Sequence, residues 1–138
     1  VLDHIVEMTA FLNPVKESYK RLGEKKAPKY VTWSPENRSQ LIRIPAVKSE
    51  ANRRIELRSP DPCANPYIAY ALIIYAGLDG IKRGLVPEEP NNADLFTAEN
   101  DVTDGLVSLP DTVEKAKSIA LHSEFIKEVL PLGYTENI

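Results

Sequence analysis

The sequence predicts an α+β domain in which short antiparallel strands cluster together and are backed by helices. Three observations carry this. Apolar residues at helical spacing open the chain, three β-prone runs follow one another between residues 30 and 58 with no helix among them, and apolar helix-patterned stretches close it. Strands that cluster, instead of alternating with helices, indicate α+β and not a parallel α/β sheet. The chain has 138 residues, 43% of them hydrophobic and 27% charged. That is enough for one modest domain with its own core and too apolar for a disordered segment.

Leu2, Ile5, Val6, Thr9 and Ala10 share one helical face, so a helix is expected up to about Leu12, where Asn13-Pro14 stops it. His4 has no cysteine or second histidine at ligand spacing and reads as a surface or helix-packing residue. Ser18 to Lys29 reads as a basic loop punctuated by Gly and Pro. Tyr30 to Ser34 is rich in Tyr, Val, Thr and Trp and reads as a strand. After a turn at "SPENRS", "LIRIP" reads as a second strand, with Ile42 and Ile44 on one face, Leu41 and Arg43 on the other, and Pro45 as its limit. "RRIELR" reads as a third, in which Ile55 and Leu57 hold the strand to the core. Asn65 is a good helix cap with Pro66 in the first helical position, so a helix is expected to about Arg83, ended by Gly84. That helix is apolar nearly all the way round, which calls for cover on several sides. Asp111 and Glu114 have the spacing of a capping box for a helix to about His122, and Phe125 to Leu130 read as a shorter helix stopped by Pro131.

The bulk numbers limit the function. Seventeen basic against twenty acidic residues give a net charge of −3, which argues against nucleic acid as the partner. The longest apolar run, Ile68 to Leu78, is shorter than the ~20 residues that span a bilayer. The one cysteine, Cys63, allows no internal disulfide and reads as a small buried residue in a reducing cytoplasm. The chain starts at Val1 with residues that already look like part of a helix, and so reads as a piece of a longer protein.

Six arginines, Arg21, Arg38, Arg43, Arg53, Arg54 and Arg58, sit in or beside the expected strands. A guanidinium fork binds phosphate or carboxylate through two hydrogen bonds. Alternate strand residues share a face, so Arg54, Glu56 and Arg58 would line ~13 Å of one wall. That length suits an extended polyanion, with Glu56 as a ligand for a divalent cation. A solvated outer face of an antiparallel strand has the same pattern, with loose charge pairs worth roughly 0–1 kcal/mol each. There is no glycine-rich phosphate loop and no CxxC motif to decide between the two.

The ordered set "SYKRL", "APKYVTWSPENRSQLIRIP" and "RRIELRSPDPCANPYIAYALIIYAGLDGIK" resembles the C-terminal catalytic region of bacterial-type (type I) glutamine synthetases. The likeness is closest over Asn13 to Gly84. It implies that residues 1–138 are the C-terminal part of that catalytic domain, with the family's β-grasp domain and the first half of the catalytic domain lying outside this chain. It further implies a cytoplasmic enzyme of nitrogen assimilation that joins ammonia to glutamate through γ-glutamyl phosphate, using ATP and Mg or Mn. The family assembles as a homo-oligomer, a dodecamer in bacterial forms. Carried over by position, Arg21 and Arg58 are implied to hold glutamate. Arg38 and Arg43 are implied to face the nucleotide phosphates and the transferred phosphoryl, Arg54 to lie on the nucleotide side, and Glu56 to bind a metal. The chain alone is expected to be inactive. Two departures from the family pattern stand out. Lys26 occupies the place before Ala27-Pro28 where the family has a glutamate that helps deprotonate ammonium. Asn91 to Leu95, "NNADL", lacks the tyrosine that some members adenylylate. The first departure keeps open a γ-glutamyl ligase for a larger amine; a non-catalytic relative is the remaining alternative.

Overall fold

The computed structural model describes residues 1–24, 26–131 and 133–135. In chain order the elements are a 3-10 turn (Leu2–His4), α1 (Ile5–Leu12), α2 (Lys16–Tyr19), β1 (Trp33–Ser34), β2 (Ile42–Arg43), a 3-10 turn (Glu50–Asn52), β3 (Glu56–Leu57), α3 (Pro66–Lys82), α4 (Asn100–Thr103), α5 (Val113–His122) and α6 (Glu124–Val129). They form two compact units. One is helical and comprises Val1–Lys20, Pro60–Pro87 and Pro110–Ile138; the other holds the strands and comprises Arg21–Ser59 and Glu88–Leu109.

In the helical unit α1 is the centre. It buries Ile5, Met8, Ala10, Phe11 and Leu12 and packs against α3, α5 and α6. Each such large side chain contributes roughly 1.5–3 kcal/mol by leaving water. His4 packs as the spacing suggests: its ring stacks on Phe125 at 3.9 Å, Nδ1 meets Glu7 at 2.6 Å and Nε2 meets Asp79 at 2.8 Å. Both ring nitrogens therefore face carboxylates, an arrangement fully hydrogen-bonded only when both carry protons. At α3 the Asn65 side chain accepts from the Tyr67 and Ile68 amides, and Gly84 ends the helix at φ +65°, where a Cβ would be strained. Only Ala69, Leu72 and Ala76 of α3 are buried, while Tyr67, Tyr70, Ile74, Leu78 and Ile81 are 55–86% exposed. The apolar helix thus carries far more apolar surface than this chain covers.

Three expectations in this unit are corrected. Ser18 and Tyr19, the first residues of the expected basic loop, belong to the helical turn Lys16–Tyr19. The cap of α5 is Thr112, whose hydroxyl accepts from the Lys115 amide at 3.2 Å; Asp111 instead pairs with the Lys115 ammonium at 2.8 Å. The expected shorter helix follows α5 as a separate element, with Ser123 as its cap. Cys63 is exposed, because the Asp61 side chain holds its amide in a surface turn.

In the other unit the three strands form one small mixed sheet in the order β1-β2-β3. β2 and β3 are antiparallel as expected, with Ile42 opposite Leu57 and Arg43 opposite Glu56. β1 and β2 are parallel, Trp33 opposite Ile42 and Ser34 opposite Arg43; the reading of the strands as all antiparallel is corrected here. The strands are shorter than the sequence runs. Tyr30 makes only an isolated bridge to Ser108, and Arg53 to Ile55 lie outside the ladder. Strict alternation fails for the same reason. Leu41 and Ile42 are both buried, whereas Ile44 is 41% and Ile55 50% exposed. Ile55 therefore does not anchor the strand to the core.

Side-chain hydrogen bonds replace sheet in fixing the β1-β2 connection. The Ser34 hydroxyl accepts from the Glu36 and Asn37 amides, and the Asn37 carbonyl oxygen accepts from the Ser39 amide and hydroxyl. The Asn37 side-chain amide donates to the Asn92 and Ala93 carbonyls at 3.0 and 2.8 Å. Gln40 Nε2 donates to Ala93 as well, at 2.9 Å.

Candidate functional site

Register brings Arg43 and Glu56 together. Residues directly opposed on antiparallel strands have Cβ atoms ~5 Å apart on one face, and Arg43 Nη1 donates to Glu56 Oε2 at 2.8 Å. Arg43 Nε donates to the Glu36 carbonyl at 3.0 Å, which ties the guanidinium to the turn after β1. Arg54 takes the other carboxylate oxygen: its Nη2 donates to Glu56 Oε1 at 3.1 Å and its Nη1 to the Asn52 carbonyl at 3.3 Å. Both oxygens of Glu56 are thus held by guanidinium. The hydrogen bond from Arg43 is the main cause holding the Glu56 carboxyl below the usual carboxylate range, helped by the charges of Arg43 and Arg54 and opposed by partial desolvation.

Arg58 lies two residues on. Its Nη2 donates to the Lys26 carbonyl at 3.4 Å, and its Nη1 is buried with no hydrogen-bond partner. Burial pushes the guanidinium below its ordinary pKa; Arg38 and Arg43 push the same way, and Glu56 opposes them. Arg58 therefore shares its field with Arg38, Arg43 and Glu56. Arg21 reaches the same end of the strand, its Nη2 donating to the Ser59 carbonyl. Arg38 is exposed, on the turn braced by Asn92 and Ala93. Arg53 stands apart from the cluster in a loose, mostly exposed pair with Glu50 at 3.5 Å.

The Lys26 carbonyl comes from a tight loop closed by its own backbone. The Gly23 amide donates to the Ala27 carbonyl at 2.8 Å and the Ala27 amide to the Glu24 carbonyl at 2.9 Å. Lys26 itself is at φ +70°, a region that costs a non-glycine residue of order 1 kcal/mol. No pattern in the sequence signals that this carbonyl meets Arg58, or that "NNAD" braces the turn carrying Arg38. The asparagines of "SPENRS" and "NNAD" were the available signal, since Asn side chains mimic and bind turn backbone.

Within the arginine cluster the carboxylate available to a divalent cation is Glu56. Mg²⁺ is commonly held by one or two carboxylates together with substrate phosphates, so Glu56 fits as a contributing ligand and not as a complete site. Among the described residues the one cluster with metal-ligand spacing is Asp3, His4 and Asp79 in the helical unit, with ligand atoms within 4.8 Å of one another. Arg83 already bonds the Oδ2 atoms of both aspartates there, so the cluster is an ion-pair network.

The chain as a whole is similar to known proteins. The family described as glutamine synthetase, catalytic domain, matches residues 1–137. Glutamine synthetase of Methanosarcina mazei is 47% identical over 94% of the chain, and those of Staphylococcus aureus and Clostridium saccharobutylicum are 43% and 41% identical over the same share. A solved structure of a GmaS/ADP complex superposes with a TM-score of 0.80 at 31% identity over 95% of the chain. The chain spans about 30% of the length of each of these relatives. The arginine and carboxylate cluster thus stands in catalytic-domain sequence, and the chain belongs to the glutamine synthetase family.

Proposed function

We propose that the protein containing this chain is an ATP-dependent ligase that joins ammonia to glutamate. ATP phosphorylates the γ-carboxylate of glutamate, releasing ADP. Ammonia then attacks the acyl carbon of γ-glutamyl phosphate, inorganic phosphate leaves, and glutamine is formed. The observation that carries this reading is the Arg58 guanidinium, buried with an unpartnered Nη1 in the field of Arg38 and Arg43. An unpaired buried donor is costly in a protein built only for stability, and an oxyanion would satisfy it.

On this reading Arg58 and Arg21 hold the glutamate carboxylate, and Arg38, Arg43 and Arg54 neutralise the nucleotide phosphates and the phosphoryl in transfer. Such transfer depends mainly on positioning and charge stabilisation. Glu56 is one ligand of a divalent cation, Mg or Mn, whose remaining ligands come from phosphate and from outside this chain. When bound, such a cation withdraws charge from the transferred phosphoryl. Arg43 and Arg54 balance the Glu56 charge. The similar GmaS structure is an ADP complex, which supports a nucleotide as a ligand of the longer protein. With about 30% of the relatives' length, the chain alone is inactive, and the whole protein is a cytoplasmic homo-oligomer. Among the described residues no helix is long and apolar enough to cross a membrane.

Lys26 favours a second reading, in which the acceptor is a larger amine. Its exposed side chain belongs to the loop whose carbonyl meets Arg58, and a lysine there repels ammonium. The test is an assay of the longer protein with glutamate, ATP and Mg against ammonia, ethanolamine and polyamines. Glutamine formed with matching release of ADP and phosphate is expected. Preference for a larger amine selects the second reading, and no ATP-dependent product with any amine removes both.

A further inference from the structure

Asn37 uses the whole of its side-chain amide. Its Oδ1 accepts from the Ser39 amide at 2.9 Å and from the Ser39 hydroxyl at 2.8 Å. Its Nδ2 donates to the Asn92 carbonyl at 3.0 Å and to the Ala93 carbonyl at 2.8 Å. An amide side chain has two donor hydrogens and two acceptor lone pairs, so none is left over. The two carbonyls can only accept and the Ser39 amide can only donate, which fixes which end of the group is nitrogen. The Oδ1 bonds close a local turn. The Nδ2 bonds reach 55 and 56 residues along the chain, within the same compact unit.

The turn held in this way carries what the strands do not. Just before Asn37, the Glu36 carbonyl accepts from Arg43 Nε at 3.0 Å. Just after it stands Arg38, exposed. Arg43 is therefore anchored twice, at Nε by the turn and at Nη1 by Glu56 at 2.8 Å. A planar guanidinium held at both atoms is fixed in direction and in tilt. Strand register sets the Glu56 contact; the turn alone sets the Glu36 contact.

The 92–93 loop braces the turn along its length. At the start, the Ser34 hydroxyl accepts from the Glu36 and Asn37 amides and donates to Asn92 Oδ1 at 3.0 Å. At the end, Gln40 Nε2 reaches the Ala93 carbonyl at 2.9 Å. A local asparagine turn needs only the Oδ1 acceptor, and aspartate would serve as well. The two Nδ2 bonds have no part in that turn, and aspartate cannot make them.

We propose that Asn37 is a positioning residue of the ligase. Through Nδ2 it locks the 34–39 turn onto the 92–93 loop, so that the Glu36 carbonyl aims Arg43, and the turn presents Arg38, toward the nucleotide phosphates. What the arginines do rests on the ligase reading; how they are placed does not.

The test uses the longer protein, assayed well below its melting temperature with whichever amine it accepts. Asn37→Asp keeps the Oδ1 acceptor and removes both donors. It should raise the KM for ATP about tenfold and lower kcat about tenfold or more, since a misplacement of ~1 Å costs on the order of 10²-fold. The KM for glutamate should stay within about twofold, because Arg21 and Arg58 bond the Ser59 and Lys26 carbonyls outside the turn. A smaller folded population would lower kcat and leave both KM values alone. Asn92→Asp keeps the acceptor for Ser34 and the backbone carbonyl, and should leave both KM values within about twofold. If Asn37→Asp does not fold, Ser34→Ala, which frees the Glu36 and Asn37 amides, should raise the KM for ATP in the same selective way. The second measurement is a pair of crystal structures, with and without Asn37→Asp. In the variant, Arg43 Nε should lie beyond ~3.5 Å from the Glu36 carbonyl. No turnover by the unsubstituted protein would sink the ligase reading, and the crystal structures then decide the placement by themselves. An unchanged KM for ATP in the variant that folds, or Arg43 Nε still bonded to the Glu36 carbonyl without the Nδ2 donors, overturns the proposal.

Discussion

Arg43 and Glu56 are register partners on neighbouring strands and an ion pair, the Arg43 Nη1 donating to Glu56 Oε2 at 2.8 Å. One relationship thus sets both the sheet and the charge pattern of the candidate site. With Arg54 on the second oxygen, the carboxylate is fixed in orientation before any ligand arrives.

The first prediction concerns the titration of Glu56. Its folded-state pKa is depressed, chiefly by the Arg43 hydrogen bond. The stability it contributes is therefore present above the ordinary carboxylate value of about 4.3 and is lost as pH falls through the lower folded value. Carbon-detected NMR should find Glu56 titrating below the ordinary glutamate value. Arg43→Met should move it back up, and Glu56→Gln should flatten the acid limb of the urea midpoint against pH. Titration of Glu56 at the ordinary glutamate value would show that the pair does not persist in solution.

Arg58 should separate function from stability. Its Nη1 is buried and unpartnered, so replacing the side chain by an apolar one removes a desolvation cost. Arg58→Met should leave the chain's Tm unchanged or higher. In the longer protein, Arg58→Lys should raise the KM for glutamate by about tenfold or more, because an ammonium cannot reproduce the two-pronged contact. A fall in Tm with unaltered KM would make Arg58 a structural residue.

These two residues also mark what the sequence made legible. The helices were readable because their signals are local: Asn65-Pro66 at a start, Gly84 at an end, and apolar spacing between. The alternation of Arg54, Glu56 and Arg58 showed which residues carried charge. It could not show that Arg43 would stand opposite Glu56, because register belongs to two strands at once. Nor could it separate an active-site wall from a solvated face; the family resemblance implies the first. Ile55 misled because alternation assumes a strand long enough to have two faces, and β3 is only Glu56–Leu57. Cys63 misled because its usual burial gave way to a turn set by Asp61.

The cap of α5 is a sharper case, since two neighbouring residues competed for the role. The Thr112 hydroxyl accepts from the Lys115 amide, while Asp111 pairs with the Lys115 side chain. Thr112→Ala should cost about 1 kcal/mol. Asp111→Ala should cost only the roughly 0.3–0.5 kcal/mol of an exposed helix ion pair. Urea denaturation of both variants measures the difference. The reverse order would restore Asp111 as the cap.

The two sides of α3 should respond oppositely to substitution. Leu72 is fully buried, whereas Ile74 is 58% and Ile81 79% exposed, though all three are large aliphatic residues of one helix. Leu72→Ala removes packed atoms from the core and should cost about 2–5 kcal/mol. Ile74→Lys and Ile81→Lys replace residues that already face water, and each should stay within about 0.5 kcal/mol. The exposed residues, with Tyr67, Tyr70 and Leu78, form an apolar surface of the kind that binds hydrophobic dyes and promotes self-association. The double lysine variant should therefore lower dye fluorescence and shift sedimentation toward monomer while its denaturation midpoint stays in place. If both lysines instead destabilise the chain as much as Leu72→Ala does, that face is buried in solution by a second copy, and the midpoint should then depend on protein concentration.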